Sequence, residues 1–248
     1  MNWLLLFVAG IAGGLTGSIA GLASVATYPA LLAVGLPPVT ANVTNTVALV
    51  FNGVGSILGS RPELKGQGRF LLRIAPLTLL GGAAGALLLL STPAEGFEKV
   101  VPILLGGASL AIVLPHKPPA ADDTSRRSRT VLILEGVAVF AIAVYGGYFG
   151  AAAGVLLLAL FLRMGHATLA HANASKNVLL GLSNGIAAVI FAVVAPVQWG
   201  AVAALGAGCL LGSRLGPVVV RHAPTTPLRL LIGAAGLALA IALAVDAY

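Results

Sequence analysis

Hydrophobic residues run along this chain in long blocks, interrupted at wide intervals by short polar or basic stretches. Eight apolar segments stand out, at residues 3–34, 39–59, 74–90, 98–115, 131–162, 177–195, 199–220 and 228–247. About 20 apolar residues at 1.5 Å rise cover roughly 30 Å of hydrocarbon, so such segments read as membrane-spanning helices. The pattern predicts an all-α polytopic membrane protein with about eight transmembrane segments. The first segment has no basic stretch ahead of it and runs past signal-peptide length, so it reads as retained structure.

Two segments are too long for one crossing. Residues 3–34 and 131–162 are runs of 32 residues each, about 48 Å as a single helix, which ordinary tilt does not absorb. Each carries a glycine cluster at the same place, "GGLTGSIAG" at 13–21 and "GGYFGAAAG" at 146–154, with glycines in all four corresponding positions. A broken or re-entrant first segment resolves the excess length, and interrupted helices at matching positions point to a transporter's substrate site. The spacing of Gly13, Gly17 and Gly21, and of Gly146, Gly150 and Gly154, equally suits a face for close helix packing.

The glycine clusters belong to a longer repeat. "ANVTN" at 41–45 matches "ANASK" at 172–176, Asn52-Gly53 matches Asn184-Gly185, and "LLGGAAGA" around Gly81 parallels "GAGCLLGS" around Gly208. The offsets drift from 133 to 127 residues, as a few loop deletions would produce. An internal duplication follows: residues 1–115 as one transmembrane repeat, 116–130 as a charged linker rich in proline, and 131–248 as the second repeat.

Composition agrees with the membrane. The chain is 58% hydrophobic and 8% charged, with mean hydropathy +1.03, whereas soluble domains carry about a quarter charged residues. The net charge of +7 sits in short loops between spans, so it is a topogenic signal and implies no nucleic-acid partner. With one crossing per segment, Arg61, Lys65, Arg69, Arg73, Lys117, Arg126, Arg127 and Arg129 share a side, against Lys99, Arg163, Lys176, Arg221 and Arg229 opposite. That bias places both basic loops and both termini in the cytoplasm. Cys209 is the single cysteine, which excludes a disulfide framework and a cysteine metal cluster.

Polar residues inside apolar segments carry the candidate chemistry. Asn42, Asn45, Asn52 and Ser56 recur along one helical stripe, and Asn173, Asn177 and Asn184 form a similar one. Such groups either glue helices together or line a solute path. Both stripes lie at helix starts, which favour anions, and Lys176 adds a full charge where the first half has Asn45. Arg214 stands within a span, where an ionisable residue marks function by default. Glu135 is a candidate coupling group, while His166 and His171 flank a turn. No nucleophile with a base, phosphate loop or paired carboxylates occurs, so an enzyme is not expected, and neither cofactor nor metal is called for.

The glycine-rich opening "GIAGGLTGSIAGLASVATYPALLAVGLPPVTANVTNTVALVFNGVGSIL", its echo in the second half and "LLGSRLG" at 210–216 resemble the TauE/SafE sulfite-exporter family of membrane transporters. The resemblance implies a secondary transporter that moves small sulfur-containing anions, such as sulfite or sulfonates, across the inner membrane by alternating access. On that reading Asn42, Thr44, Asn45, Asn52, Asn173, Ser175, Lys176, Asn177 and Arg214 bind substrate, and a proton or sodium ion is the coupling partner. A passive channel for small anions or neutral solutes is the alternative. The chain departs from the family's usual glycine run at "LASVAT", 22–27, and lacks the cysteines that some thiosulfate-transporting relatives use. Oligomeric state, direction and the relative orientation of the halves are not legible.

Overall fold

The computed structural model describes residues 2–93, 129–151, 153–164 and 168–222, with scattered positions between 95–110 and 230–245. The expected segments 98–115 and 228–247 and the linker 116–130 therefore fall mostly outside the described residues, as does His166. The described secondary structure is entirely helical: α1 (Trp3–Ala20), α2 (Ala23–Ala33), α3 (Pro38–Gly59), α4 (Arg61–Leu64), α5 (Gly68–Ser91), α6 (Arg129–Tyr148), α7 (Ala153–Arg163), α8 (Leu169–Val194) and α9 (Trp199–His222). Six of these, α1, α3, α5, α6, α8 and α9, are long and apolar enough to cross a membrane.

Both over-long runs are broken. Helix α1 is capped at its start by Asn2, whose side chain accepts from Leu5 N at 3.1 Å. It ends at Gly21, left-handed at φ 77°, whose N–H bonds back to Gly17 O at 2.7 Å. A residue with a Cβ avoids that conformation, and glycine takes it freely. The next helix, α2, has 11 residues, about 17 Å of rise and too short to span alone. It runs back along α1: Gly17 faces Ala23, and four residues earlier Gly13 faces Thr27. Helix α6 breaks likewise before the 11-residue α7, with Gly150 left-handed at φ 72°. The two breaks touch, since Gly21 and Gly154 press backbone on backbone, and a Cβ on either would collide with the other.

The long helices form two parallel groups of three. Along α1 and α9, Trp3 meets Gly200, Phe7 meets Gly208, Gly14 meets Ser213 and Ser18 meets Gly216. Along α3 and α9, Thr44 meets Gln198, Phe51 meets Gly206 and Gly59 meets Pro217. Both series ascend together, so α1, α3 and α9 point the same way. In the second group Leu77 meets Gly136, Gly81 meets Ala143 and Gly85 meets Tyr148 between α5 and α6, while Gln67 and Gly82 meet Ser175 and Ser183 between α5 and α8. The small residues at these seams bring backbones into contact, the packing that substitutes for hydrophobic collapse within lipid.

The groups point in opposite directions. Asn173, Lys176 and Asn177 in the first turns of α8 touch Gly17 and Ser18 at the end of α1. At the other end, Thr44 near the start of α3 touches Gln198, just past the end of α8. Helices α3 and α8 cross at Gly53 and Gly181, where a Cβ on Gly53 would lie 3.2 Å from the Gly181 Cα.

This arrangement corrects two expectations. Counting one crossing per segment placed the N-terminus on the same side as the loop after the second segment. Because α2 doubles back, α1 and α3 are parallel, and the start of α1 lies at the opposite end from Arg61 and Lys65. The start of α6 does share the Arg61 end, because α5 and α6 are parallel. Secondly, α8 begins at Leu169, not Asn177, and α5 at Gly68, not Ile74. Hydropathy reads the polar first turns as loop, whereas the Thr168 side chain caps α8 by accepting from His171 N at 3.2 Å and helix continues through them.

Candidate functional site

Polar side chains collect where α3 and α8 pass the two breaks. Asn42, Thr44, Asn45, Asn52, Asn173, Ser175, Lys176 and Asn177 are all buried, while the outward faces of the bundle carry exposed aliphatic side chains such as Leu4, Leu72 and Val193. Counted from the start of each helix, Asn42 and Asn173 occupy the fifth position, Thr44 and Ser175 the seventh, Asn45 and Lys176 the eighth.

At the end of α1, three donors of α8 converge on backbone carbonyls. The Lys176 ammonium donates to Gly17 O at 3.1 Å and to Ser18 O at 3.4 Å. Asn173 Nδ2 and Asn177 Nδ2 donate to the same Ser18 O, at 3.0 Å and 3.3 Å. Asn52 lies beside them, its amide atoms 3.1 Å and 3.2 Å from where a Cβ on Gly17 would stand. Carbonyls at a helix C-terminus carry partial negative charge and suit a cation.

Among the described residues, no acidic side chain is bonded to that cation. Lys176 has no exposed surface, and residues 1–60 contain no Asp, Glu, Lys, Arg or His, so α1, α2 and α3 bring it no counter-ion. Burying an ion costs several kcal/mol even after relaxation, and neutral carbonyls offset only part of that.

At the end of α6 the same arrangement recurs without the charge. Asn42 Nδ2 donates to Tyr148 O at 2.9 Å. Asn45 Nδ2 donates to Ser24 Oγ, at the start of α2, at 3.1 Å. Tyr28 of α2 packs edge-on against Phe149 in the break, ring centroids 5.3 Å apart, and the Tyr145 hydroxyl pins the break by donating to Ala151 O. Four amide oxygens, Asn42, Asn45, Asn52 and Asn173 Oδ1, are buried without a partner among the described residues. Polar groups left so cost about 1–3 kcal/mol each.

The remaining candidates stand apart. Thr44 Oγ1 accepts from Gln198 N at 3.1 Å, just before α9, and Ser175 Oγ donates to Gln67 Oε1, just before α5. These two hydroxyls therefore seat the starts of the following helices. Arg214 is exposed on α9, its backbone against Gly55 and Gly59 of α3, and Glu135 is half-buried in the second turn of α6. His171 folds onto its own cap, with Nδ1 2.7 Å from Thr168 Oγ1. Sequence reasoning missed the backbone partners Gly17, Ser18 and Tyr148, and also Ser24. The last had a signal: a serine directly after the glycine break, inside the "LASVAT" departure.

Six apolar spans, lipid-type outer faces and an interior of buried amides around a buried ammonium define a multi-pass membrane protein of transporter type. The TauE/SafE sulfite-exporter profile matches residues 5–243. The chain belongs to that family. It is 30% identical over 218 residues to the probable membrane transporter protein YfcA of Escherichia coli K12, covering 88% of this chain and 80% of the relative. A probable membrane transporter protein of Haemophilus influenzae is 28% identical over 91% of this chain and 88% of its own length. The probable membrane transporter protein ORF9 of a Sinorhizobium species is 28% identical over 97% and 92%. No solved structure matches the chain significantly.

Proposed function

We propose that this protein is a secondary transporter of small sulfur-containing anions, sulfite and sulfonates, in the inner membrane. The observation that carries the reading is Lys176: a fully buried cation held by two carbonyls, with no charged residue anywhere in α1, α2 or α3. A transported oxyanion supplies the missing counter-charge, with Asn52, Asn173 and Asn177 around it. An oxyanion that still bears a proton, such as hydrogen sulfite, also offers a donor to an unpartnered asparagine oxygen.

The two halves, residues 1–115 and 131–248 with about eight apolar segments between them, act as inverted repeats. Support comes from the antiparallel course of α3 and α8 and from their reciprocal contacts, Asn173 on the end of α1 and Asn42 on the end of α6. Rocking of one parallel group against the other about the Gly53–Gly181 crossing gives alternating access. The end carrying Arg61 and Lys65 faces the cytoplasm under the positive-inside rule, which leaves the start of α1 outside.

The test is sulfite flux in reconstituted vesicles. Saturable flux that Lys176→Ala removes at normal protein yield supports the assignment. Flux that rises linearly with concentration and ignores ion gradients identifies a passive channel instead. Unchanged flux in Lys176→Ala removes the site.

A further inference from the structure

The end of α6 presents, without a charge of its own, the acceptors that the end of α1 presents to the Lys176 ammonium. Position eight of α8 is a lysine whose ammonium sits on Gly17 O and Ser18 O. Position eight of α3 is Asn45, shorter by two bonds from Cα to its terminal nitrogen, and it stops at Ser24 Oγ. Two amide oxygens on this face of α3 are left without a partner among the described residues. Asn42 is fully buried, and its nitrogen donates to a carbonyl, Tyr148 O, which fixes its oxygen as the free atom; that Oδ1 has no partner. Asn45 is 1% exposed, and its Oδ1 also has none. Asn42 and Asn45 stand three residues apart on one helix and share a face. Ser24 Oγ is held on that face by Asn45, while the Tyr28–Phe149 contact brings α2 against the break.

We propose that this group of neutral oxygens binds a small monovalent cation such as sodium, with Asn42 Oδ1, Asn45 Oδ1, Ser24 Oγ and Tyr148 O as its ligands. Each ligand retains an acceptor lone pair for the purpose: a carbonyl oxygen has two, and so does a hydroxyl. Hard cations take oxygen ligands, and carbonyls at broken-helix C-termini serve coupling ions in transporters of other folds. Among the described residues no group of three His, Cys, Asp or Glu is placed to hold a metal ion, and no carboxylate occurs in α2 or α3. The site's ligands are all neutral, which suits a singly charged ion. The second half thus carries its cation tethered, as Lys176, and the first half takes one from solution. This rests on the transporter reading and deepens it by assigning the coupling ion to a place distinct from the anion.

The experiment is thermal unfolding of the purified full-length protein in sodium, potassium or choline chloride at matched ionic strength, with and without sulfite. Sodium, and potassium more weakly, should raise the Tm saturably over choline, by about 5 °C when well above the dissociation constant. Asn45→Asp should bind the same ion at least about tenfold more tightly, because a carboxylate replaces a neutral ligand. Asn45→Lys should fold and lose the cation response, because its ammonium fills the site as Lys176 does opposite. No difference between sodium and choline for the natural protein overturns the proposal, and so does an unaltered sodium response in Asn45→Lys. The anion arm is separate: sulfite stabilisation lost in Lys176→Ala but kept in choline speaks to transport alone, so either reading can fail without the other.

Discussion

The ends of α1 and α6 share one feature, a transmembrane helix stopped beside a glycine break and met by asparagines of α8 or α3. They differ in how they are held. Ser18 O receives three side-chain donors, one of them an ammonium, whereas Tyr148 O receives Asn42. The same backbone device thus carries three side-chain donors in one place and one in the other. The two ends differ at position eight, asparagine in α3 and lysine in α8, and at position nine, Thr46 in α3 and Asn177 in α8.

The comparison breaks most directly at Lys176. Lys176→Met should lower sulfite flux by at least about tenfold, the loss of charge-assisted hydrogen bonds worth about 1.5–3 kcal/mol. Its Tm should stay level or rise, because an apolar side chain of similar length relieves the burial of an ion. Flux loss together with a collapsed Tm would instead make Lys176 a strut.

Next come the glycines where the breaks meet. Gly21→Ala should cost about 3 kcal/mol, summing left-handed strain of about 1–2 kcal/mol and a backbone collision with Gly154 of about 1–3 kcal/mol. Gly35→Ala shares the strain, at φ 89°, but has open space around it, so about 1 kcal/mol is expected. Comparing their thermal unfolding separates contact between the halves from local conformation.

A smaller difference sharpens the asymmetry itself. Asn42→Ala strips Tyr148 O of its side-chain donor, whereas Asn173→Ala leaves Ser18 O with Lys176 and Asn177. The first should be the more destabilising by about 1 kcal/mol, measured as denaturation midpoints in matched detergent. Equal effects would dissolve the distinction between the two ends. Smallest of all, Arg214→Gln should leave flux within about twofold, since the side chain is exposed on α9, where surface changes have slight effects.

Much of this was legible in the chain. Segment length and the glycine clusters foretold the breaks, because a 32-residue apolar run has no other way to fit a bilayer. The stripes through Asn42, Asn45, Asn173 and Lys176 foretold where the polar interior lies, since helical period alone puts them on one face. Direction was not legible. That α2 doubles back depends on Gly13 and Gly17 admitting Thr27 and Ala23, a side-by-side fit that one-crossing counting ignores, and the topology inferred for the N-terminus failed with it. Thr44 and Ser175 shared the asparagine motifs but point to Gln198 and Gln67, because neighbouring positions on a helix face different partners. The partners of Lys176 are backbone carbonyls, which every residue has, so no residue type announced them.

Time gives the reciprocal contacts a further meaning. The Gly17 carbonyl and the Lys176 ammonium that it holds are 159 residues apart, roughly 8–30 seconds of synthesis at 5–20 residues per second. Through that interval the end of α1 waits in the membrane without its partner, and α2, too short to span, has no opposite break to rest on. The first half can therefore be inserted early but completed only when the second arrives. Assembly of the candidate site and closure of the fold are a single late event, and a chain cut between α5 and α6 should yield two pieces that mature only together.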